Sequence, residues 1–542
     1  ARHNIRHNEN YNLRTSWTAE GDTTHLNQYN HRKNMWSNVF ARTGFTYHID
    51  SINDFGISAM GAFGMNKSNN QIIYSHLNQA LDTTQNRVRT TESGGYMGFY
   101  NVSADYKHIF KKEKEELTAN FSYYGGLGDN DNSYHNWNKI GETITETTDY
   151  QTSNNSYNDF SVQADYYNKF TKDSKLEVGV KAEYSQDKKL DCNFNENKEE
   201  ILEERNDFTY SKQVYAAYAT YGNKWSWFGM QLGLRAEETL TSANGIKRNY
   251  FDLFPSAYFS FQLPKNNELQ LNYTRRIYRP GGWIINNHVD RTDPTNIRKG
   301  NPYINPEYSN NLEFNYLKTW EYHTISLGAF YTYTEDVIQQ IQKLADNGVM
   351  ETTYGNITYS QSAGLDLTVK NRLFNNYLDL TTTATAYYYQ LGENKEYNIP
   401  KTETFSWNVR LNANVKIINN LSAQLTGYYN SPRLVAQGSM GHRYGMDIGI
   451  KASFLEKALN LSFTVRDVLN SRSKSTRESW GDNFYQENGN ISSGRSYRLT
   501  LSYNFGNMGK KRPPKGNQGM NGNMGSEMGG MDGMGGDMMT DF

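Results

Sequence analysis

Apolar residues recur at every second position along most of this chain. Leu499, Leu501, Tyr503 and Phe505 alternate with Arg498, Thr500, Ser502 and Asn504. Phe405, Trp407, Val409, Leu411, Ala413 and Val415 alternate with Ser406, Asn408, Arg410, Asn412 and Asn414. The same period runs through Leu176–Tyr184 and Ile325–Tyr333. A period of two puts successive side chains on opposite faces of a strand, here one apolar and one polar. Runs of about ten residues are long for a globular strand and suit a tilted bilayer crossing. The pattern predicts an all-β chain.

A soluble β-sandwich alternates too, so the links between strands decide the architecture. Short links are predicted at His48–Asn53, Lys111–Glu116, Thr171–Ser174, Gly222–Trp225, Pro264–Asn267, Thr319–Tyr322, Phe374–Tyr377, Asn419–Asn420 and Glu456–Ala458. Long polar stretches lie between them, near 65–97, 125–157, 186–212, 279–306, 342–349, 391–403, 430–443 and 471–494. Short turns on one side and long links on the other describe a transmembrane antiparallel β-barrel, with the short turns in the periplasm. Nine hairpins, a last strand at Tyr497–Phe505 and a weaker segment near Asn10–Thr18 give about twenty strands. Residues 1–505 are therefore read as one barrel domain. Residues 506–542 change composition and form a Gly/Met-rich tail, predicted to be disordered and periplasmic.

Composition changes this picture in one respect. The 542 residues are only 36% hydrophobic with a mean hydropathy of −0.83, the profile of a soluble protein. Aromatic residues nevertheless reach 14%, which excludes a disordered chain and suits the interfacial girdles of a barrel. A net charge of −1 provides no basic field for nucleic acid. The single cysteine, Cys192, is placed in the 186–212 loop and precludes an internal disulfide. No run of 18 apolar residues reads as a transmembrane helix, and no leader is visible before Ala1.

The stretch 273–341 is the most distinctive. It carries Arg275-Arg276-Ile277-Tyr278-Arg279-Pro280, then Asp293-Pro294, then Gly300-Asn301-Pro302-Tyr303-Ile304-Asn305-Pro306-Glu307. Asn311-Leu312-Glu313 and Asp336-Val337-Ile338 follow, with Tyr354-Gly355-Asn356, Gly364-Leu365-Asp366-Leu367 and Asp467-Val468-Leu469-Asn470 further on. Over about residues 34–505 the chain resembles the outer-membrane β-barrel family of Bacteroidota, the barrel half of TonB-dependent-receptor-like proteins. The resemblance implies an integral protein of the Gram-negative outer membrane and a complete barrel of 22 strands. It also implies solute uptake past a plug, driven by a periplasmic TonB-type energy coupler. Plug and coupling segment would lie upstream of Ala1. The barrel-assembly signal would be Tyr497, Leu499, Leu501, Tyr503 and Phe505.

The signature residues also have a physical reading. Arg275 and Arg279 stand where a strand leaves the membrane, so their charges are expected to reach water or lipopolysaccharide phosphate. Pro280, Pro294, Pro302 and Pro306 fix φ and end ladder pairing. Gly300 and Asn301 suit a tight turn, and Glu307 restarts the next strand.

No catalytic signature, cofactor motif or metal site with protein-ligand spacing emerges, so the chain is not read as an enzyme. The acidic cluster Glu199-Glu200, Glu203-Glu204 is most simply solvated, with calcium binding as its functional alternative. Eight of the 16 methionines fall in the tail, where Met528, Met531 and Met534 could ligate Cu(I) or the segment could dock a partner. Two functions stay open: solute uptake, or a barrel scaffold in a larger outer-membrane complex for barrel assembly or secretion. Outer-membrane lipid, lipopolysaccharide and other complex subunits are the remaining partners expected.

Overall fold

The computed structural model describes residues 2–110, 115–456, 458–472, 475–492 and 494–503. Phe505 and the Met-rich tail lie outside the described residues. The strands are β1 (Arg2–Trp17), β2 (Thr23–His48), β3 (Asn53–Leu77), β4 (Thr83–Ile109), β5 (Glu115–Ile140) and β6 (Thr143–Asn168). Next come β7 (Ser174–Phe194), β8 (Asn206–Lys224), β9 (Phe228–Ala243), β10 (Ile246–Leu263), β11 (Asn267–Tyr278) and β12 (Asn296–Arg298). Then follow β13 (Glu307–Thr319), β14 (His323–Leu344), β15 (Met350–Leu373), β16 (Leu378–Leu391), β17 (Thr402–Ile418) and β18 (Leu421–Asn430). The last are β19 (Arg433–Val435), β20 (Gly438–Met440), β21 (Arg443–Phe454), β22 (Leu459–Arg466), β23 (Thr476–Gly481), β24 (Phe484–Asn490) and β25 (Ser496–Tyr503). The one α-helix among the described residues is α1 (Gly282–Ile285), and no described helix is long and apolar enough to cross a membrane.

All 25 strands join one sheet. Twenty of them form the barrel wall by antiparallel pairing of successive strands, as the alternation predicts. The other five, β12, β19, β20, β23 and β24, lie in the links opposite the short turns. β24 pairs with β1 from Asn10↔Asn490 to Ser16↔Phe484 and so brings the two ends of the wall together. Among the described residues, nothing pairs with the free edge of β25 or with Val39–His48 of β2 on the side that β1 occupies above.

The seven short turns that lie wholly within the described residues fall where the sequence places them, and local chemistry makes them. Asp50 accepts the backbone N–H of Ile52 and of Asn53, both at 2.8 Å, closing the β2–β3 turn. Lys265 and Asn266 take left-handed φ angles of 61° and 57° between β10 and β11.

Register aligns the apolar positions into a belt on the outer face. Leu312 faces Tyr331, Leu327 faces Leu367, and Phe463 faces Leu499. Leu365 is 56% exposed and Leu499 69% exposed, and a continuous belt of such residues fits a hydrocarbon surround. The inner face of the same strands carries Asn311, Glu313 and Thr332. Tyr497, Leu499, Leu501 and Tyr503 all lie outward on β25, so the last strand is part of the belt.

Three of the stretches expected to be long loops are strands instead. Residues 65–97 are the upper halves of β3 and β4, 125–157 those of β5 and β6, and 186–212 is largely β7 and β8. Cys192 accordingly sits on β7. β2 to β6 run 25 to 27 residues each, about 85 Å along the strand, far beyond a hydrocarbon core of about 30 Å. Above the membrane neither face must be apolar, so side-chain ladders replace the belt. Ser93 donates to Asn132 (2.6 Å), Asn132 to Gln151 (3.0 Å) and Tyr134 to Gln151 (2.9 Å). Gly126 lets Tyr157 lie flat on the sheet, since a Cβ there would be 2.2 Å from the ring.

Candidate functional site

The link between β11 and β13 spans 279–306 and folds into the mouth of the barrel. Its apolar residues drive this. Ile284 and Ile304 pack with Ile338 and Tyr354 at the tops of β14 and β15. Ile285 packs with Phe208 and Tyr210 of β8 and Ala243 of β9. Two sectors of the wall thus meet on one short helix.

A third sector is reached by the Asp293-Pro294-Thr295-Asn296 turn. The Asp293 carboxylate accepts from Gln28 Nε2 of β2 (3.0 Å) and Tyr74 OH of β3 (3.2 Å). It also accepts from the N–H (2.9 Å) and Oγ1 (2.8 Å) of Thr295 and from Asn296 Nδ2 (2.9 Å). Arg14 of β1 is 4% exposed and donates to Gly348 O (2.8 Å), Thr295 O (3.4 Å) and Asn296 Oδ1 (3.4 Å). Burial pulls its guanidinium down to about 10, against the opposing attraction of Asp293. β12 pairs in parallel with β15, Asn296↔Met350 to Arg298↔Thr352. Strands β1 to β3, β8 and β9, and β14 and β15 are not neighbours in the wall. One loop can touch all three groups only by crossing the opening.

The signature residues build this crossing. β11 ends at Tyr278, and Tyr210 OH donates to Pro280 O (3.4 Å). Gly300 N donates to Asn286 O (2.6 Å) and Asn301 N to Ile284 O (2.7 Å), which seats the Gly300-Asn301-Pro302 turn on α1. A Cβ on Gly300 would fall 2.4 Å from Asn286 O and 2.5 Å from Ile284 O. Asn301 Nδ2 donates to Tyr354 O (3.0 Å). After Pro306, Glu307 opens β13 and accepts the Ile338 N–H (2.5 Å). Burial raises its carboxyl to about 7, partly opposed by that hydrogen bond.

The arginines divide. Arg275 shares the outward face of Tyr273 and Leu312, and its guanidinium lies 5.4 Å from the Tyr308 ring centre. Arg276 pairs in register with Ser309 on the inner face. Arg279 does not reach toward lipid phosphate as its position in the sequence suggests. It turns to β9 and donates to Glu237 Oε2 (2.5 Å) and Thr239 Oγ1 (2.9 Å). Glu237 holds Arg235 Nε at 2.5 Å as well, so one carboxylate serves two arginines. The pull of a buried carboxylate outweighs solvation, because Arg279 is at the strand end and free to swing.

The acidic cluster offers no calcium site. Glu200 pairs with Arg205 (2.9 Å) and Glu204 with Arg291 (3.4 Å), and no metal-holding group of His, Cys, Asp or Glu occurs among the described residues. Sequence reasoning missed Arg14, Gln28 and Tyr74, and quoted Asp293 only within the Asp293-Pro294 motif, with no role for its carboxylate. The apolar pair Ile284-Ile285 inside an otherwise polar link was the available signal.

A family model described as "Outer membrane protein beta-barrel family" matches residues 108–503. The chain belongs to this family. This outer-membrane β-barrel protein therefore resides in the outer membrane, and its belt faces lipid. No curated protein matches it. Among solved structures it is similar to the copper transporter OprC, with a TM-score of 0.52, 9% identity, and coverage of 90% of this chain and 80% of that one. The siderophore receptor PiuA from Acinetobacter baumannii gives a TM-score of 0.51, 10% identity, and coverage of 89% and 81%. The ferripyoverdine receptor of the outer membrane of Pseudomonas aeruginosa gives 0.50, 11% identity, and coverage of 91% and 72%. At these identities the likeness is one of fold alone, that of a large outer-membrane β-barrel.

Proposed function

We propose that the protein is an outer-membrane receptor that admits a solute through its barrel, and that the 279–306 loop is the part that must move. The observation behind this reading is the Asp293 turn, tied across the mouth to β2 and β3. The isoleucine packing holds the 284–304 part of the loop to the near wall, whereas the Asp293 carboxylate and its donors on the far wall can all take water as partners when the turn lifts, so this contact is the one suited to opening. The partner required for energised opening is a periplasmic coupler of the TonB type. The receptor fold and the solved receptors and transporter named above support this reading.

The test is a staple. Gln28→Cys with Asp293→Cys, in a Cys192→Ser background, would tie the loop to the wall when oxidised. Culture media of deletion, wild-type and stapled strains would be compared by mass spectrometry. The expected result is at least one solute whose removal needs the protein, stops on stapling and resumes with reductant. If the deletion changes no solute, or stapling leaves removal intact, the uptake reading falls and a scaffold role in an envelope complex replaces it.

A further inference from the structure

A cavity of about 480 Å³ lies between the inward loop at 288–292 and the inner face of β4 to β7, above the membrane. Its size is that of a small-ligand site. Its wall holds one buried cation that has no counterion among the described residues. Arg89 of β4 is 8% exposed, its guanidinium sits 4.2 Å from the centre of the Tyr134 ring, and its Nε has no hydrogen-bond partner. It forms no ion pair among the described residues. A buried, unpaired guanidinium is costly and is retained where an anion arrives to complete it.

The other cations of the cavity are occupied. Lys189 is 3.0 Å from Asp191, and Arg291 is 3.4 Å from Glu204. Burial lowers the basicity of His288, which keeps it neutral at pH 7. Asp149 and Asp290 also line the space and oppose a second negative charge. The lining carboxylates outnumber its cations four to three, so any anion is held by Arg89 locally and carries no more than one charge: a carboxylate rather than a phosphate dianion, in the planar guanidinium fork.

The remaining lining recognises hydroxyls. Asn130 donates to Asn132 (2.8 Å) and Asn132 to Gln151 (3.0 Å), and each amide keeps at least one N–H for a ligand. We propose that this cavity binds a sugar acid of one or two rings, with Arg89 holding its carboxylate and the amide ladder its hydroxyls. The proposal rests on the uptake reading only for the ligand's later passage through the barrel, since binding itself needs no transport.

Calorimetry on the detergent-solubilised full chain tests it, with glucuronate, glucose and inorganic phosphate as probes. Glucuronate is expected to bind at least tenfold tighter than glucose, more weakly as salt rises, and tighter than phosphate. Arg89→Gln should remove that preference, while Arg89→Lys should keep part of it. Asn132→Leu should weaken glucuronate several-fold and leave the salt dependence, which keeps the test decisive if Arg89→Gln fails to fold. Equal binding of glucose, stronger binding of phosphate, or no binding of glucuronate overturns the proposal. The staple experiment reads transport separately, so loss of one result leaves the other standing.

Discussion

Tyr74 on β3 donates a hydrogen bond to Asp293 on the loop after β11, joining residues 219 apart in sequence across the opening of the barrel. With Gln28 on the same carboxylate, this contact pins the loop to the far wall. Asp293→Ala leaves the buried donors of Tyr74 and Gln28 unpaired, each costing roughly 1–3 kcal/mol. The loop should detach while the barrel stays folded. Trypsin cleavage after Arg291 or Arg298 should then accelerate by at least tenfold, with the heat-modifiable gel shift of the barrel unchanged. Equal cleavage of variant and wild type would show that the loop is held by its isoleucines alone.

Gly300→Ala forces a Cβ against two backbone carbonyls that cannot swing aside. The turn on α1 must open, at a cost of about 1–3 kcal/mol. Hydrogen exchange should speed up for the amides of Asn286 and Asn301. Gly427→Ala on β18, where a Cβ meets nothing within 4 Å, is the matched control and should be silent.

Glu307 sets a pH dependence. Its folded pKa of about 7 lies above the ordinary value of 4.5, so the folded state holds the proton more tightly than the unfolded one. The stability this contributes is full below pH 4.5 and is lost as pH rises through 7. The wild-type unfolding temperature, followed by the gel shift in detergent, should fall between pH 4.5 and 7. Glu307→Gln should flatten that fall. An unchanged slope in the variant would assign the dependence to other groups.

Glu237 carries two arginines on one carboxylate. Glu237→Gln leaves Arg279, whose side chain is 15% exposed, with a neutral acceptor in place of its counterion. A loss of about 2–4 kcal/mol is expected. Thermal unfolding of the variant, compared with Glu238→Gln on the opposite face of β9, would measure it. Comparable stability of the two variants would place the arginines in water.

The belt makes a sharper prediction still. Leu499→Arg puts a charge on the lipid face, worth about 2–4 kcal/mol at the bilayer midplane. Thr500→Arg, one residue along on the inner face of β25, should be tolerated. The folded fraction recovered from outer membranes distinguishes them, and equal recovery would contradict the assigned faces.

The wall was legible because its rule is local. Alternation in Leu499–Tyr503 needs no knowledge of the partner strand, and turn residues such as Asp50 and Asn266 act within a few positions. The tall hairpins were not legible as strands. Asn130, Asn132 and Gln151 look like loop residues until the neighbouring strand supplies their partners, and then they form a ladder. The crossing was hidden for a different reason. Asp293-Pro294 reads as a turn from sequence alone, and nothing nearby reveals that Gln28 and Tyr74 will meet its carboxylate. Arg279 shows the limit of position-based reasoning: its place at a strand end was right, and its direction was set by a carboxylate 42 residues earlier.

The wall is not of even height. β2 to β6 run 25 to 27 residues, whereas β18 has 10 and β22 and β25 have 8. Above those short strands β19, β20, β23 and β24 continue the sheet across to the top of β1. The rim on one flank is thus made of through-going strands and on the other of strands that belong to the links. Its height on that second flank is set by link pairing alone.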